Sequence, residues 1–148
     1  MSFTESSSAY FLMDTTVKRA RQLLDKAFEN AYVDLTADQW VVLDCLSRKP
    51  EVTQQELATT CEKDPSTITR IVDLLIAKGY INRYDSPLDR RSKLVVLTTN
   101  GQSIYEKALV EAGHVRDAGF HNLTLEEYQA LCESLRKIHN CIQKSLEN

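Results

Sequence analysis

The sequence of 148 residues predicts a mainly α-helical protein with one small β-hairpin. Apolar residues recur at three- and four-residue steps over most of the chain, which is typical of amphipathic helices. Only four glycines and three prolines occur, so we expect few long irregular loops. One stretch departs from the helical pattern, because two short apolar runs at 80–84 and 94–97 flank a polar turn. We expect a single domain over residues 1–148, which is long enough to bury a core.

The first three helices are predicted from periodicity and from helix-start motifs. The first is expected from about Ala9 to Ala31. The second and third begin with capping boxes, Thr36 with Gln39 and Thr53 with Glu56. In such a box the threonine hydroxyl and the side chain three residues later satisfy free N–H groups at the start of the helix. The third helix is expected to be short.

A fourth helix is predicted to begin at Asp64 and Pro65, because aspartate caps helices and proline is tolerated in the first turn. Gly79 suits the left-handed conformation that often ends a helix. One face of this helix is apolar and is expected to be buried: Ile68, Ile71, Val72 and Leu75.

Two more helices are expected after the hairpin. The fifth runs from Thr99 to about Ala118, with Gly119 and Asn122 expected to break the chain. A third capping box, Thr124 with Glu127, opens the sixth helix.

The sixth helix carries apolar residues at a heptad-like spacing: Tyr128, Leu131, Leu135, Ile138 and Ile142. One interpretation is packing within the same domain. The other, which we favour, is a dimer interface, because the first, fifth and sixth helices bracket the rest of the chain and need a partner for their apolar stripes.

Charge is unevenly distributed along the chain. The net charge is −3, which argues weakly against a nucleic-acid partner. Residues 63–93, however, hold seven basic and four acidic side chains, a local charge of +3 that leaves −6 for the remainder. Phosphate contacts require a local basic face and not a basic protein, so this stretch remains a candidate for binding nucleic acid.

The exposed side of the fourth helix carries short hydroxyl side chains and one arginine: Ser66, Thr67, Thr69 and Arg70. Small polar side chains near a helix N-terminus allow the helix to approach a DNA major groove closely and to bond to phosphate or base edges. Arg70 can contact guanine with two hydrogen bonds or bind a phosphate. The alternative is an ordinary solvated helix face, which the short preceding helix and the following hairpin disfavour.

The turn of the hairpin carries Asp89, Arg90 and Arg91, followed by Ser92 and Lys93. A carboxylate two residues before an arginine can hold the guanidinium in one orientation. An oriented arginine at a hairpin tip suits a minor groove, where narrow A·T tracts concentrate negative potential. Ser92 and Lys93 can add phosphate contacts, and the alternative is a solvated charged turn. A helix-turn-helix followed by such a hairpin predicts a winged DNA-binding lobe.

These motifs, in this order, resemble the MarR family of bacterial winged helix-turn-helix regulators over about residues 10–146. The matching runs are Leu35-Thr36-x-x-Gln39-Trp40, Gln55-Glu56-Leu57-Ala58, Ser66-Thr67-Ile68-Thr69-Arg70, Leu75-x-x-Lys78-Gly79-Tyr80-Ile81, Asp89-Arg90-Arg91 and Leu97-Thr98-x-x-Gly101. Each motif alone is moderately specific, and the complete set is strongly specific.

The resemblance implies a DNA-binding lobe at about 34–99 between dimerisation helices at about 9–31 and 100–146. It also implies a homodimer that represses transcription by binding a pseudo-palindromic operator in double-stranded DNA. Recognition helices would then enter successive major grooves, with half-sites roughly 34–36 Å apart, while the wings reach flanking minor grooves. The expected location is the bacterial cytoplasm, at the nucleoid when the protein is bound to DNA.

Members of the family often respond to small aromatic acids. By position, Trp40 and Asp44, with Arg70 nearby, match residues that line the effector pocket of relatives. A carboxylate at Asp44 would repel an anionic ligand unless an arginine such as Arg21 compensates. Trp40 has the alternative role of an ordinary core residue.

Two alternative functions remain open. Cys61, just before the fourth helix, could serve as a thiol switch in a redox-responsive regulator, although its spacing from Leu57 indicates burial. A winged helix can also bind proteins without any DNA specificity. Salt-dependent DNA binding distinguishes that interaction module from a DNA-binding regulator.

No catalytic, metal or cofactor motif is found. The four cysteines are widely spaced, and the pair Glu111 and His114 lacks the second copy that carboxylate-bridged metal bundles require. We therefore expect no enzyme activity and no cofactor. The N-terminus has no basic segment followed by a long apolar run, and no stretch approaches the roughly 20 apolar residues of a membrane span, so no membrane association is expected.

Overall fold

The computed structural model describes residues 3–147, with side chains from residue 8 onward. Over this part of the chain the structure is mainly α-helical with a small sheet. The elements are α1 Phe3–Asn30, α2 Ala37–Ser47, β1 Val52–Thr53, α3 Gln54–Thr60, α4 Pro65–Ala77, β2 Ile81–Asp85, β3 Lys93–Leu97, α5 Thr99–Phe120 and α6 Leu125–Leu146. The chain forms two compact units, one up to Val115 and one from Arg116.

All three predicted capping boxes are present. The hydroxyl oxygens of Thr36, Thr53 and Thr124 accept hydrogen bonds from backbone N–H groups three residues later, at 3.2, 3.0 and 3.2 Å. In each box the glutamine or glutamate side chain bonds back to the N–H of the threonine. These starts were predictable because the bonds join residues that are close in sequence.

Two predicted helix boundaries are wrong. Helix α1 begins at Phe3 and not near Ala9. The intervening serines do not stop it, because serine has a helix propensity only about 0.5 kcal/mol worse than alanine. Helix α5 continues through Gly119 to Phe120, so Gly119 does not break the chain. A single glycine costs a helix roughly 0.5–1 kcal/mol, which a helix of 22 residues tolerates.

The three strands form an antiparallel sheet in the order β1-β3-β2. Strands β2 and β3 are the predicted hairpin, with Ile81 opposite Leu97 and Asp85 opposite Lys93. Strand β1 was not predicted, because it has only two residues and is defined by its pairing with β3, where Val52 lies opposite Val95.

The core lies beneath α4 and the sheet. Phe28 of α1, Leu43 of α2, Ile81 of β2 and Val95 of β3 are all 0% exposed. The predicted apolar stripe of α4 is confirmed, since Ile68, Ile71, Val72 and Leu75 are buried. Burial of such a side chain contributes roughly 1.5–3 kcal/mol, so this stripe holds the opposite, polar face of α4 at a defined position.

A close backbone approach joins the base of the hairpin to α5. A Cβ atom at Gly101 would lie 1.8 Å from the carbonyl oxygen of Tyr80, so only glycine fits there. The backbone N–H of Thr98 donates to the same oxygen at 3.0 Å, and its hydroxyl donates to the carbonyl of Gly79 at 2.7 Å. Gly79 has the predicted left-handed conformation, with φ of 75°.

Helix α6, which the structure describes in full, buries none of its residues in the single chain. Its heptad-like residues are about two-fifths exposed: Tyr128 38%, Leu131 40%, Leu135 41%, Ile138 37% and Ile142 42%. Within the described chain, no helix has the length and apolar character needed to cross a bilayer.

Candidate nucleic-acid interface

The N-terminus of α4 is capped by the carboxylate of Asp64. The carboxylate accepts hydrogen bonds from the Ser66 hydroxyl at 2.5 Å, the Thr67 hydroxyl at 2.6 Å and the Thr67 backbone N–H at 2.9 Å. These bonds, with that from Ser66 foremost, hold the pKa of Asp64 well below its usual range. A carboxylate at this end of the helix repels phosphate, so the expected phosphate site at the helix N-terminus is not supported.

The cap also restricts what the two predicted hydroxyls can do. A hydroxyl has one proton to donate, and both Ser66 and Thr67 donate it to Asp64. Phosphate oxygens only accept hydrogen bonds, so neither hydroxyl can donate to a phosphate while this cap is intact. Both oxygens can still accept bonds from amino groups on base edges.

The middle of α4 carries the other two predicted residues, Thr69 and Arg70, and both are exposed. Thr69 is held on both sides, by the side chain of Gln54 at 2.8 Å and by the carbonyl of Pro65 at 2.9 Å. One turn further on, Asp73 forms an ion pair with Arg83 of β2 at 2.8 Å. Thr69 and Asp73 are therefore held by residues of α3 and β2.

A cluster of basic residues surrounds Asp38 at the start of α2. Lys63 lies 2.7 Å and Arg21 3.3 Å from the carboxylate, and Arg70 of α4 contributes at longer range. The hydrogen bond from Lys63, opposed by partial burial and aided by the surrounding positive charges, lowers the pKa of Asp38. Three basic side chains, one of them on α4, therefore lie around the Asp38 carboxylate.

At the hairpin tip the predicted pairing of Asp89 with a guanidinium is wrong. The Asp89 carboxylate accepts a hydrogen bond from the backbone N–H of Arg91 at 2.9 Å. A backbone N–H two residues ahead is held close by the turn itself, so it competes successfully with a long side chain. Among the described residues, no carboxylate lies within ion-pair distance of the guanidinium of Arg90 or Arg91, and both side chains are exposed.

Lys93 differs from these arginines. Its ammonium forms an ion pair with Asp85 on the opposite strand. Directly opposed residues of unlike charge stabilise a hairpin, so Lys93 has a structural role in holding the two strands together. Its predicted phosphate contact would require this pair to open.

Asp44 and Arg21, two of the three predicted effector residues, are not paired with each other. Asp44 pairs with Arg48 at 2.6 Å and accepts a bond from the Tyr105 hydroxyl at 3.0 Å. Arg21, considered above as one arginine that could compensate Asp44, pairs instead with Asp38, and the arginine beside Asp44 is Arg48.

Trp40 is partly buried in the structure. The side chain packs against the core, but its indole N–H is buried without a hydrogen-bond partner in the described chain. Nearby, burial raises the pKa of Tyr105, with opposing smaller effects from its bonds to Ser47 and Asp44.

The candidate thiol switch, Cys61, lies 3.2 Å from Cys45, sulfur to sulfur. Burial, and then the hydrogen bond to Cys45, raises the pKa of Cys61 to about 12. The thiolate is the reactive form, so this environment weighs against rapid reaction with oxidants. No group of His, Cys, Asp or Glu side chains suited to a metal ion occurs in the described part of the chain.

The sequence did not predict the contacts that four residues make around α4: Gln54, Lys63, Asp73 and Arg83. Their partners lie between 10 and 29 positions away along the chain. Neither periodicity nor a local motif reports such contacts. The surplus of basic residues over 63–93 was the only signal that pointed to Lys63 and Arg83.

Comparisons with known proteins agree with this geometry. The family model described as the MarR family matches residues 35–93. The multiple antibiotic resistance protein MarR of Escherichia coli is 34% identical over 107 residues, which cover 72% of this chain and 74% of that protein.

Solved structures show the same fold. A mutant MarR from Escherichia coli complexed with operator DNA has a TM-score of 0.84 at 30% identity, covering 92% of this chain and 96% of that chain. BpsR from Bordetella bronchiseptica, solved to explain how 6-hydroxynicotinic acid regulates its DNA binding, has a TM-score of 0.71 at 27% identity, covering 86% and 98%. The winged helix-turn-helix prediction is therefore confirmed.

Proposed function

Because the chain belongs to the MarR family and is a DNA-binding transcriptional regulator, we propose that it acts as a repressor that binds a pseudo-palindromic operator as a homodimer. In this proposal α4 enters the major groove of each half-site and the hairpin tip enters the flanking minor groove. The relative complexed with operator DNA supports operator binding by analogy. The protein would act in the bacterial cytoplasm, at the nucleoid.

The observation that carries the proposal is the pair of exposed arginines at the hairpin tip. Of the basic side chains near α4, Lys63, Lys78, Arg83 and Lys93 are each bonded to a carboxylate. Arg90 and Arg91 have no such partner in the described chain and project from the wing. Two guanidinium groups without ion-pair partners at the end of a hairpin suit the negative potential of a minor groove.

The dimer is supported by the apolar face of α6. Five residues at heptad-like spacing are about two-fifths exposed in the single chain. On α1, Tyr10, Phe11, Leu12 and Val17 are more than half exposed. Apolar faces of this extent on long helices are typical of surfaces covered by a partner, and a two-fold dimer would also match a palindromic operator.

The test is DNA binding measured at several salt concentrations, using fragments selected from a random library. We expect sequence-selective binding with two chains per fragment, and an affinity that falls steeply as salt rises. The mass of the protein–DNA complex, measured by analytical ultracentrifugation, gives the number of chains bound to each fragment. No binding at low salt would contradict the proposal and favour the alternative of a protein-interaction module.

We extend the proposal to release of DNA by a small aromatic effector. BpsR supplies the analogy, and the indole N–H of Trp40 is a buried donor without a partner in the described chain. The pairing of Asp44 with Arg48 reduces the repulsion that an anionic ligand would meet. We expect 6-hydroxynicotinic acid or benzoate at millimolar concentration to weaken operator binding, and Trp40→Phe to reduce that response. Unchanged binding with every aromatic acid tried would contradict this part.

A further inference from the structure

A chain of hydrogen bonds connects the wing strand β2 to the recognition helix α4 through Gln54, the first residue of α3. Arg83 Nη1 lies 2.8 Å from Asp73 Oδ1 and 3.4 Å from Gln54 Oε1. Gln54 Nε2 lies 2.8 Å from Thr69 Oγ1. Thr69 Oγ1 in turn lies 2.9 Å from the carbonyl oxygen of Pro65. Three separate elements are thus linked at the centre of the candidate DNA-binding face.

The chemistry of the groups sets the direction of every bond. A guanidinium can only donate, so the amide oxygen of Gln54 must face Arg83 and its NH₂ group must face Thr69. That NH₂ group can also only donate, so the Thr69 oxygen accepts. The single hydroxyl proton of Thr69 then goes to the carbonyl of Pro65, which can only accept. Arg83 therefore orients the hydroxyl of Thr69 through Gln54.

With the bonds in these directions, the Thr69 hydroxyl can accept a further hydrogen bond but cannot donate one. A hydroxyl has one proton and two lone pairs, and the proton and one lone pair are committed. The remaining lone pair can accept a hydrogen bond but cannot donate one to phosphate. In the major groove, cytosine offers a donor at N4 and adenine at N6, whereas guanine and thymine offer acceptors.

Gln54 is not needed to start its own helix. The box formed by Thr53 and Glu56 already caps α3, with bonds of 3.0 and 2.8 Å. Nor is Arg83 a free cation for phosphate, because Asp73 neutralises it. Arg83 therefore bonds to Asp73 and Gln54, and Gln54 bonds to Arg83 and Thr69.

We propose that Gln54 is a positioning residue for sequence recognition, which holds Thr69 as a hydrogen-bond acceptor and so selects cytosine or adenine where Thr69 meets the major groove. This inference rests on the DNA-binding function proposed above, and it adds the base preference and the residue that sets it. Gln54 acts through Thr69 and not through its own contact with a base.

The test is selection from a random DNA library followed by sequencing of the bound fraction. The proteins compared are the wild type, Gln54→Met, Thr69→Val and the double variant. We expect the wild type to enrich cytosine or adenine at one position of each half-site. Gln54→Met and Thr69→Val should each reduce that enrichment by about fivefold to tenfold, with unchanged binding to random DNA. The double variant should be no worse than Thr69→Val alone.

Two control variants separate this role from a general loss of stability. Gln102→Met removes a glutamine side chain that bonds to Glu106 within α5, and it should leave the base preference unchanged. Thr69→Ser keeps the hydroxyl and should retain the wild-type preference even if Gln54→Met folds poorly. Melting temperatures of all variants are measured by circular dichroism.

Four results would overturn the inference. Gln54→Met could keep the full wild-type preference, or the wild type could enrich guanine or thymine at that position. Gln54→Met could also reduce the preference further in the Thr69→Val background, which would show a role independent of Thr69. A wild type that enriches no sequence at all would overturn the proposed function together with this inference.

Discussion

Helix α4 and the tip of the wing differ in how their polar side chains are held. On α4, the side chains of Ser66, Thr67, Thr69 and Asp73 are each bonded to another group of the same chain. At the tip of the wing, Arg90 and Arg91 have no ion-pair partner among the described residues. Groups fixed before binding lose little conformational freedom when they bind, which favours discrimination. Free charges bind any phosphate backbone, which favours affinity.

Substitutions in the two regions should therefore impair DNA binding in different ways. A change on α4 should alter the ratio between binding to the operator and binding to other DNA. A change at the wing tip should weaken binding to all DNA and reduce its salt dependence. Both regions depend on the same junction at the base of the hairpin, so a change there should affect the whole lobe.

Gly101→Ala is expected to have the largest effect. The added methyl group would meet the Tyr80 carbonyl oxygen at 1.8 Å and force the hairpin away from α5. We expect a loss of at least about 1–3 kcal/mol in the free energy of unfolding, measured by urea denaturation. Gly119→Ala is the matched control, because a Cβ there meets nothing within 4 Å and should stabilise α5 by about 0.5–1 kcal/mol. Equal effects of the two substitutions would contradict the close approach at the junction.

Arg70→Ala is expected to act mainly on recognition. It removes an exposed guanidinium from the middle of α4. We expect a loss on the order of 1–3 kcal/mol for the selected operator and a much smaller loss for unrelated DNA, measured by fluorescence anisotropy. Arg116→Ala removes the same charge at an exposed position outside the lobe and serves as the control. Equal weakening on all sequences would make Arg70 a phosphate contact.

Arg91→Ala is expected to weaken binding uniformly, by roughly threefold to tenfold at moderate salt. The slope of the logarithm of affinity against the logarithm of salt concentration should fall by about 1, because one phosphate contact is lost. The melting temperature should not change, since this side chain is exposed and has no ion-pair partner in the described chain. Unchanged slope and affinity would remove the wing from the mechanism.

The smallest effect concerns the acid stability of the α4 cap. The pKa of Asp64 is lower in the folded protein than the ordinary 3.8, so the ionised carboxylate stabilises the fold above that pH. This contribution is lost as the pH falls below 3.8 towards the folded-state value. Asp64→Asn keeps a capping side chain but does not titrate. The melting temperature of the wild type should exceed that of Asp64→Asn near pH 7, and the gap should close in acid. A gap that is constant with pH would contradict the assigned cause.

The helix starts show how much of the fold was predictable from the sequence. The capping boxes at Thr36, Thr53 and Thr124 and the cap at Asp64 join neighbours in the chain, and all four are present. The apolar stripe of α4 was predictable for the same reason. Strand β1 was missed because its two residues acquire their structure from β3, which lies more than 40 positions away.

The candidate site was less predictable than the fold. Helical periodicity predicted which residues of α4 face outward. It did not predict which of their hydroxyl groups already donate a hydrogen bond within the protein. Asp89 was expected to pair with a guanidinium, and its carboxylate instead bonds to the Arg91 backbone. Gln54 and Arg83 contact α4 across 15 and 10 positions of sequence. Such contacts depend on how helices and strands pack together, and a local sequence pattern does not predict that packing.

The most direct test of the division between helix and wing is hydroxyl-radical footprinting of the wild type and Arg91→Ala on the selected operator. The wild type should protect two half-sites roughly one helical turn apart, together with the flanking minor grooves. Arg91→Ala should lose the flanking protection and keep both half-sites. Loss of all protection together, or an unchanged footprint, would contradict separate roles for α4 and the wing.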